Sequence, residues 1–443
     1  MEQIRIKLPE QVSYIIEKLN RGGFEAFAVG GCVRDSIIGR TPEDWDITTS
    51  ARPEQIKSIF KRTIDTGIKH GTVTVLLREG QYEVTTYRID GAYNDARHPA
   101  SVTFTENLTE DLRRRDFTIN AMAYHPDAGL MDPFGGMSDL DEGVIRAVGN
   151  ADERFEEDAL RIMRAVRFSA QLGFAIEPET ALAIKGHTEK LRLISNERIR
   201  DELTKTLTSP YPETFRLLYE FGITAVILPQ FDVLMKTPQN NPHHIFNAGD
   251  HTIAVMENTP ATKRLRIAAL LHDMGKPMTR VSGEDGFDRF PDHHKAGTEF
   301  SKKWMREMRF DNKLISETAT LILYHDFLFS KDESGVRHAM NKVGDLFPDL
   351  ILLLRADTLA KSSEYIPRRL EKIDLIESIY NTVKSRGDCV DLQHLAVSGS
   401  DLIAAGVRPG PEIGRLLGEM LEEVLCDPAK NTREYLLETI KNN

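Results

Sequence analysis

Phe27-Ala28-Val29-Gly30-Gly31-Cys32-Val33-Arg34-Asp35 and, after a link through Gly39, Arg40, Thr41 and Pro42, Glu43-Asp44-Trp45-Asp46-Ile47: the reading of this stretch decides the fold. Phe27 to Val29 close an apolar, strand-like run. Gly30-Gly31 lets the backbone approach a ligand closely before a helix that starts near Cys32, where amide groups can face phosphate. The link then turns the chain into a second strand, on which Asp44 and Asp46, two residues apart, share one face. Two acids on one face can hold Mg²⁺. Strand, Gly-Gly turn, helix and returning strand with Asp-x-Asp is the order nucleotidyl transfer needs, with triphosphate at one end and metal at the other. Alone, Asp-x-Asp also suits two solvated edge acids and Gly-Gly a plain turn; the spacing and the rest of the chain give the pattern its meaning.

Working outward, Val12, Ile15, Ile16 and Leu19 recur at helical spacing within residues 8–21, and Arg52 to Arg62 reads as a helix with Pro53 in its first turn. Residues 71–77 and 82–88 read as a hairpin across Gly80, with Glu83 on its second strand. Glu83 can be a third acidic group if that strand lies beside the Asp-x-Asp strand; a surface acid opposite a basic strand is the other reading. Residues 89–109, with Asp90, Gly91, Tyr93, Asn94, Asp95, Arg97, His98 and Pro99, are polar and turn-rich, the texture of a mobile functional loop. In Asp111-Leu-Arg-Arg-Arg115-Asp116-Phe-Thr-Ile-Asn120, consecutive arginines offer cations for phosphate, and Asp116 with Asn120 offers polar groups for a ribose hydroxyl; a basic helix start is the other reading.

Past residue 141 the chain turns helical. Residues 154–172 read as one helix, with Glu157, Asp158 and Arg161 on one face and Arg164 following. That grouping suits an ordinary salt-bridge cluster. It also has a chemical meaning, because an Asp acceptor beside an Arg donor matches N4-H₂ and N3 of cytosine and N6-H₂ and N1 of adenine, and refuses uracil and guanine. Ser195-Asn-Glu197-Arg198-Ile-Arg-Asp-Glu202 opens a further helix with a capping-box-like start.

The length of 443 residues calls for at least two domains, and 40% hydrophobic with 28% charged residues is a soluble globular composition. A net charge of −11 excludes a chain that binds nucleic acid through bulk charge, so any such binding uses local basic patches. Cys32, Cys389 and Cys426 form no disulfide framework or Cys-x-x-Cys, which fits a reducing cytoplasm. No apolar signal core opens the chain, and no apolar run reaches the roughly 18 residues that a membrane span requires.

With these motifs in order, residues from about 23 to 232 closely resemble the class II, bacterial-type CCA-adding tRNA nucleotidyltransferases of the polymerase β-like nucleotidyltransferase superfamily. The resemblance implies that Asp44 and Asp46 carry two Mg²⁺ ions for a two-metal nucleotidyl transfer, with Glu83 as the additional acid. It implies nucleotide binding by Gly30, Gly31, Arg34, Arg115, Asp116, Asn120, Asp158, Arg161 and Arg164, with Asp158 and Arg161 as the amino-acid template for the incoming base. Asp132, Gly135 and Asp139 match the motif between head and neck, and Ser195-x-Glu197-Arg198 matches the one that buttresses the template helix. Bacterial poly(A) polymerases share the head but usually carry a Pro-containing Leu-Phe-Asp-Glu segment in place of residues 195–202. Enzymes that add only two cytidines typically lack the loop retained here at 89–109.

Residues 241–365 carry a second constellation: His244, His251, Leu270-Leu-His272-Asp273-Met-Gly-Lys276, Asp292-His293-His294, His325 and Asp357. Imidazoles and carboxylates in this number suit divalent metals. The segment resembles the HD phosphohydrolases, which implies His251, His272, Asp273 and Asp357 as metal ligands, His293 and His325 for a second divalent metal, and hydrolysis of phosphomonoesters or cyclic phosphodiesters. His293 is preferred over His294 on its spacing to the Lys295–Glu299 segment.

The expected fold is α+β: a nucleotidyltransferase head with a mixed sheet (1–140), then an all-α neck with the template (141–235), an HD-type body (236–365) and a tRNA-binding tail (366–443). The function implied by the resemblance is template-independent addition of C, C and A to the tRNA 3′ end from CTP and ATP, in the cytoplasm and with no membrane partner. The alternatives are chiefly an HD metallohydrolase with a degenerate tRNA-binding head, or an A-adding or poly(A) polymerase relative.

Overall fold

Val12, Ile15, Ile16 and Leu19 all fall on the buried side of α1 (Glu10–Arg21), as their spacing requires, and this helix covers the start of the first sheet. The computed structural model describes residues 4–91, 101–327, 330 and 332–441. The chain divides into two compact units, Met1–Pro229 and Gln230–Asn443, a coarser division than the four parts expected from sequence.

In the first unit seven strands form one mixed sheet. They are β1 (Ala26–Val29), β2 (Ile47–Thr49), β3 (Thr63–Gly67), β4 (Thr72–Leu76), β5 (Gln81–Thr86), β8 (Ala123–His125) and β9 (Gly129–Met131), in the order β3-β4-β5-β2-β1-β8-β9. Between β5 and β8 in sequence, β6 (Arg88–Asp90) and β7 (Val102–Phe104) pair as a separate antiparallel ribbon. The β4–β5 hairpin forms as predicted, and β5 lies parallel to β2 with Ile47 opposite Val84. One position before this pair stand Asp46, just ahead of β2, and Glu83 within β5, so the strand of Glu83 lies beside the end of the Asp44–Asp46 segment. Every residue of β1 is buried, whereas β3 at the sheet edge keeps only half-buried and exposed positions.

The helices of this unit are α2 (Gly31–Ile37), α3 (Pro53–Ile59), α4 (Leu108–Arg113), α5 (Gly136–Glu142), α6 (Ala151–Glu157), α7 (Leu160–Leu172), α8 (Pro178–His187), α9 (Asn196–Leu207), α10 (Phe215–Glu220) and α11 (Ile223–Ile227).

Four local expectations need correction. Asp44 and Asp46 do not lie within a strand but just before β2; the Asp46 carbonyl nevertheless accepts the Val29 N–H at 3.0 Å, so the ladder starts there. The polar stretch 89–109 contributes to both strands of the β6–β7 ribbon and to the start of α4, because Ile89, Val102 and Phe104 supply apolar alternation; Tyr93, Asn94, Asp95, Arg97, His98 and Pro99 lie outside the described residues. Residues 154–172 are two helices: Asp158 is extended (φ −140°, ψ 103°) and its carboxylate accepts the Leu160 N–H at 3.0 Å. Ser195 does precede α9, but its hydroxyl makes no capping hydrogen bond.

The second unit is almost wholly helical: α12 (Pro229–Met235), which starts one residue before the boundary, α13 (Ala248–Glu257), α14 (Lys263–Leu271), α15 (Lys276–Thr279), α16 (His293–Glu307), α17 (Asn312–Tyr324), α18 (Glu333–Val343), α19 (Phe347–Leu359), α20 (Ile366–Arg386), α21 (Gly399–Ala404), α22 (Pro411–Cys426) and α23 (Arg433–Lys441). Leu265 to Leu271 of α14 are all buried, the mark of a central helix. A separate apolar cluster of Leu402, Leu416, Leu421, Val424 and Leu436 holds α21, α22 and α23 together. Among the described residues no helix is long and apolar enough to cross a membrane.

Candidate functional site

Gly30 adopts φ +83°, a conformation that L side chains rarely take, and a Cβ there would stand 3.0 Å from Arg115 Nη1. Its N–H donates to Met122 O at 3.0 Å, which fixes the turn into α2. From α2 the buried Arg34 reaches Asn120 Oδ1 at 2.6 Å. Gly31, Arg34, Asp44 and Asp46 line one cavity of about 460 Å³, with Lys205 and Ser209 on its wall. Asp46, Glu83, Arg88, Arg114 and Arg115 line a neighbouring one of about 180 Å³. Burial raises the Asp46 pKa, opposed by Arg115 and reinforced by Asp44; burial and then the charges of Asp46 and Asp44 raise that of Glu83. The three acids therefore repel one another and lack a full complement of positive charge, a donor set that fits a divalent cation.

Asp116 sits at the centre of a buried polar chain. It accepts from Arg164 Nε at 2.7 Å and from Asn120 Nδ2 at 3.2 Å, and Asn120 in turn accepts from Arg34. Burial alone would raise the Asp116 pKa, but Arg164 and Arg161 outweigh it and hold the carboxyl well below the usual range. A third cavity, of about 270 Å³, is lined by Arg114, Arg115, Asp116, Asp158, Arg161, Arg164 and Arg198.

Asp158 and Arg161 both line this cavity, yet they are not paired with each other. Arg198 donates to Asp158 Oδ2 at 2.8 Å, while Arg161 donates to Glu157 Oε2 at 2.5 Å and to the Arg114 carbonyl at 2.9 Å. Asp132 caps α5 through the N–H groups of Gly136 and Met137, and Asp139 accepts from Arg146 at 3.1 Å; Gly135, at φ +76°, leads into the same helix. Arg88, Arg114 and Arg198 also line these cavities, beyond the residues expected from sequence: Arg198 has only a neck motif around it, Arg114 is indistinguishable from its neighbours in the arginine run, and Arg88 carries no local signal.

In the second unit the predicted histidines and acids converge. His251 Nε2 lies 3.0 Å from Asp357 Oδ1 and 3.6 Å from Asp273 Oδ2; His272 Nε2 is 3.2 Å from Asp273 Oδ2; His293 Nε2 is 3.2 Å from His325 Nε2. Each ring turns its other nitrogen to a backbone carbonyl: Nδ1 of His251 to Ala360, of His272 to Ala269, of His293 to Phe290 and of His325 to Ile322, at 2.7–3.3 Å. With Nδ1 turned to a carbonyl, Nε2 is the ring atom that faces the centre in each case, the side from which an imidazole ligates a metal. The His272 Nε2 is buried and makes no hydrogen bond. Two triads that share His272, His251/His272/Asp357 and His272/Asp273/His325, bring ligand atoms within 4.8 Å of one another, close enough for an ion in either.

Lys276 and Lys361 stand at 2.6 Å from Asp273 and 2.5 Å from Asp357. Burial pushes both carboxyl pKa values up, but His272 and Lys276 around Asp273, and Lys361 and His251 around Asp357, drive them well below the usual range. Burial and then His325 pull the His293 pKa down to about 4. His294 belongs outside this group, since only His293 touches His325 and Asp273. His244 is adjacent, with its ring centroid 5.3 Å from that of His251, and burial lowers its pKa.

Comparison with known proteins adds the following. Residues 26–146 match the Poly A polymerase head domain, 173–235 a probable RNA- and SrmB-binding site of polymerase A, and 294–440 a putative tRNA nucleotidyltransferase domain 2. The CCA-adding enzyme of Lactobacillus gasseri is 35% identical over 97% of this chain and 96% of its own, and that of Lactobacillus delbrueckii subsp. bulgaricus is 36% identical over 99% of each. Among solved structures, the Bacillus stearothermophilus CCA-adding enzyme in complex with CTP aligns over 99% of both chains at 29% identity with a TM-score of 0.73. The Thermotoga maritima CCA-adding enzyme complexed with tRNA shares the fold, with a TM-score of 0.61 at 23% identity.

Proposed function

The chain belongs to the CCA-adding enzymes, and from that premise we propose that it adds C, C and A to the 3′ end of tRNA, taking CTP and ATP as substrates and no nucleic-acid template. The observation that carries this reading is the convergence of Asp44, Asp46 and Glu83 at one end of a set of cavities and of Asp158, Arg161, Arg164 and Arg198 at the other. The relatives give no support to a hydrolase with a degenerate head. A cytoplasmic location is part of the same proposal, supported by three cysteines that form no disulfide.

Asp44 and Asp46, with Glu83 beside them, are the residues that would hold two Mg²⁺ ions, one of which would acidify the terminal 3′-hydroxyl while the other would steady the leaving pyrophosphate. The chain's own groups do the rest. Gly30 and Gly31 bring backbone to the phosphates, and Arg34 and Arg115 supply charge to them. Asp116 and Asn120 face the ribose. Asp158 and Arg161 read the base edge, for which Arg198 and Glu157 must release them. Product length on tRNA ending at the discriminator base is the deciding measurement: three added nucleotides are expected with CTP and ATP together, and a long ladder of A or a single A would refute the reading. Asp44→Ala should abolish incorporation while leaving tRNA binding intact.

The histidine cluster favours a second reading, a divalent-metal centre of the HD type with a phosphohydrolase activity on nucleotide or tRNA-end phosphoesters. His251, His272, Asp273 and Asp357 would be its ligands, with His293 and His325 able to hold a further ion. Lys276 and Lys361 would have to yield the carboxylates on loading. Elemental analysis after loading with Mn²⁺ or Ni²⁺ is the test: bound metal in the wild type and its loss in His272→Ala are expected, and equal metal content in the two proteins would rule the centre out.

A further inference from the structure

Phe168 on α7 lies where the phosphate end of the nucleotide site meets its base end. Three guanidinium groups surround its ring, Arg34 at 5.1 Å, Arg164 at 5.2 Å and Arg167 at 4.2 Å from the centroid. The ring is 6% exposed, and Phe117 braces it edge-on at 5.8 Å and 81°. Three like charges at this range repel one another, and three carboxylates answer them: Asp35 takes Arg34 directly at 2.8 Å, Asp116 takes Arg164 directly and Arg34 through Asn120, and Glu202 takes Arg167 at 3.0 Å. An aromatic face adds attraction for each cation that an aliphatic side chain of similar volume cannot supply.

The ring also sets direction. Arg34 lines the cavity that contains Asp44 and Asp46, and Arg164 lines the one that contains Asp158 and Arg161. We propose that Phe168 is a positioning residue of the nucleotide site, fixing the separation between the arginine that faces the triphosphate and the arginine that faces the base. This rests on the reading of Arg34 and Arg164 as nucleotide-binding residues. Arg167 completes the arrangement, held between the ring and Glu202.

The test uses the full-length enzyme with Phe168→Leu and, at the same position, a trifluorinated phenylalanine that keeps the ring's shape but drains its negative face. Steady-state kinetics with CTP and ATP, tRNA affinity and thermal unfolding are read for each. Phe168→Leu should raise KM for both nucleotides about tenfold, the size of one or two partly desolvated cation–π contacts, with kcat and tRNA affinity close to wild type. The trifluorinated variant should fall in between with an unchanged melting temperature, which keeps the test decisive if the leucine variant folds poorly. Wild-type KM values in the trifluorinated variant would overturn the proposal. Arg34→Ala and Arg164→Ala are run alongside: wild-type KM in those two would overturn the site reading itself, whereas raised KM there with no effect at Phe168 removes only the positioning role.

Discussion

Asp116 ties more of the site together than its place after a run of arginines suggests. One carboxylate oxygen takes Arg164, and the other takes Asn120 and the Phe117 N–H at 2.9 Å. Asp116→Asn keeps the shape and removes the charge. It should cost about 1–3 kcal/mol in urea unfolding at neutral pH, less than a fully buried pair would, because Arg164 retains a third of its exposure. The sign with pH follows from the depressed carboxyl: its stabilisation is complete above the ordinary Asp range and is lost as pH falls through the folded-state value. The difference between wild type and Asp116→Asn should therefore shrink below about pH 4. A gap that widens in acid would show that the carboxylate is not what holds Arg164.

At the scale of elements, the turn from β1 into α2 is the part most dependent on one residue. Gly30→Ala forces a side chain into φ +83°, at a cost of about 1–2 kcal/mol, and presses its Cβ on Arg115. The variant should fold with a melting temperature a few degrees lower and with KM raised for CTP and ATP alike; wild-type kinetics would show that the turn has no part in binding. This turn and the hairpin were legible because their signals are local: two glycines after an apolar run, and alternation on both sides of Gly80. The placement of Glu83 beside Asp46 could be stated only as a condition, since pairing between β2 and β5 bridges more than thirty residues and no local pattern selects it. The break at Asp158 was invisible for another reason. Apolar spacing continues on both sides of it, and what ends α6 is a side-chain oxygen that captures the Leu160 N–H and is then held by Arg198 from α9.

For the whole molecule, a net charge of −11 coexists with a nucleotide site built from arginines, because Arg34, Arg114, Arg115, Arg161, Arg164 and Arg198 gather from distant positions around a few carboxylates. Overall composition conceals such a cluster; order of motifs reveals it. The second unit was legible through its ligand types and through His293, whereas the lysines that hold Asp273 and Asp357 gave no sequence signal beyond Lys276 in its run. The three acids and the histidine cluster lie in separate units, so His272→Ala, which removes a central imidazole of the cluster, should leave the rate of CCA addition within about twofold of wild type. A collapse of addition in a variant that still melts normally would contradict that independence.

The seven-stranded sheet, all three acids and the arginines through Arg198 lie within Met1–Pro229. Protein synthesis delivers them first, and domains generally fold as units in the order in which they leave the ribosome. A nascent chain stalled after Pro229 has cleared the exit tunnel thus already carries every nucleotide-site residue named above. A pulse of CTP on such arrested complexes should therefore protect the first unit from protease before residues 230–443 are translated.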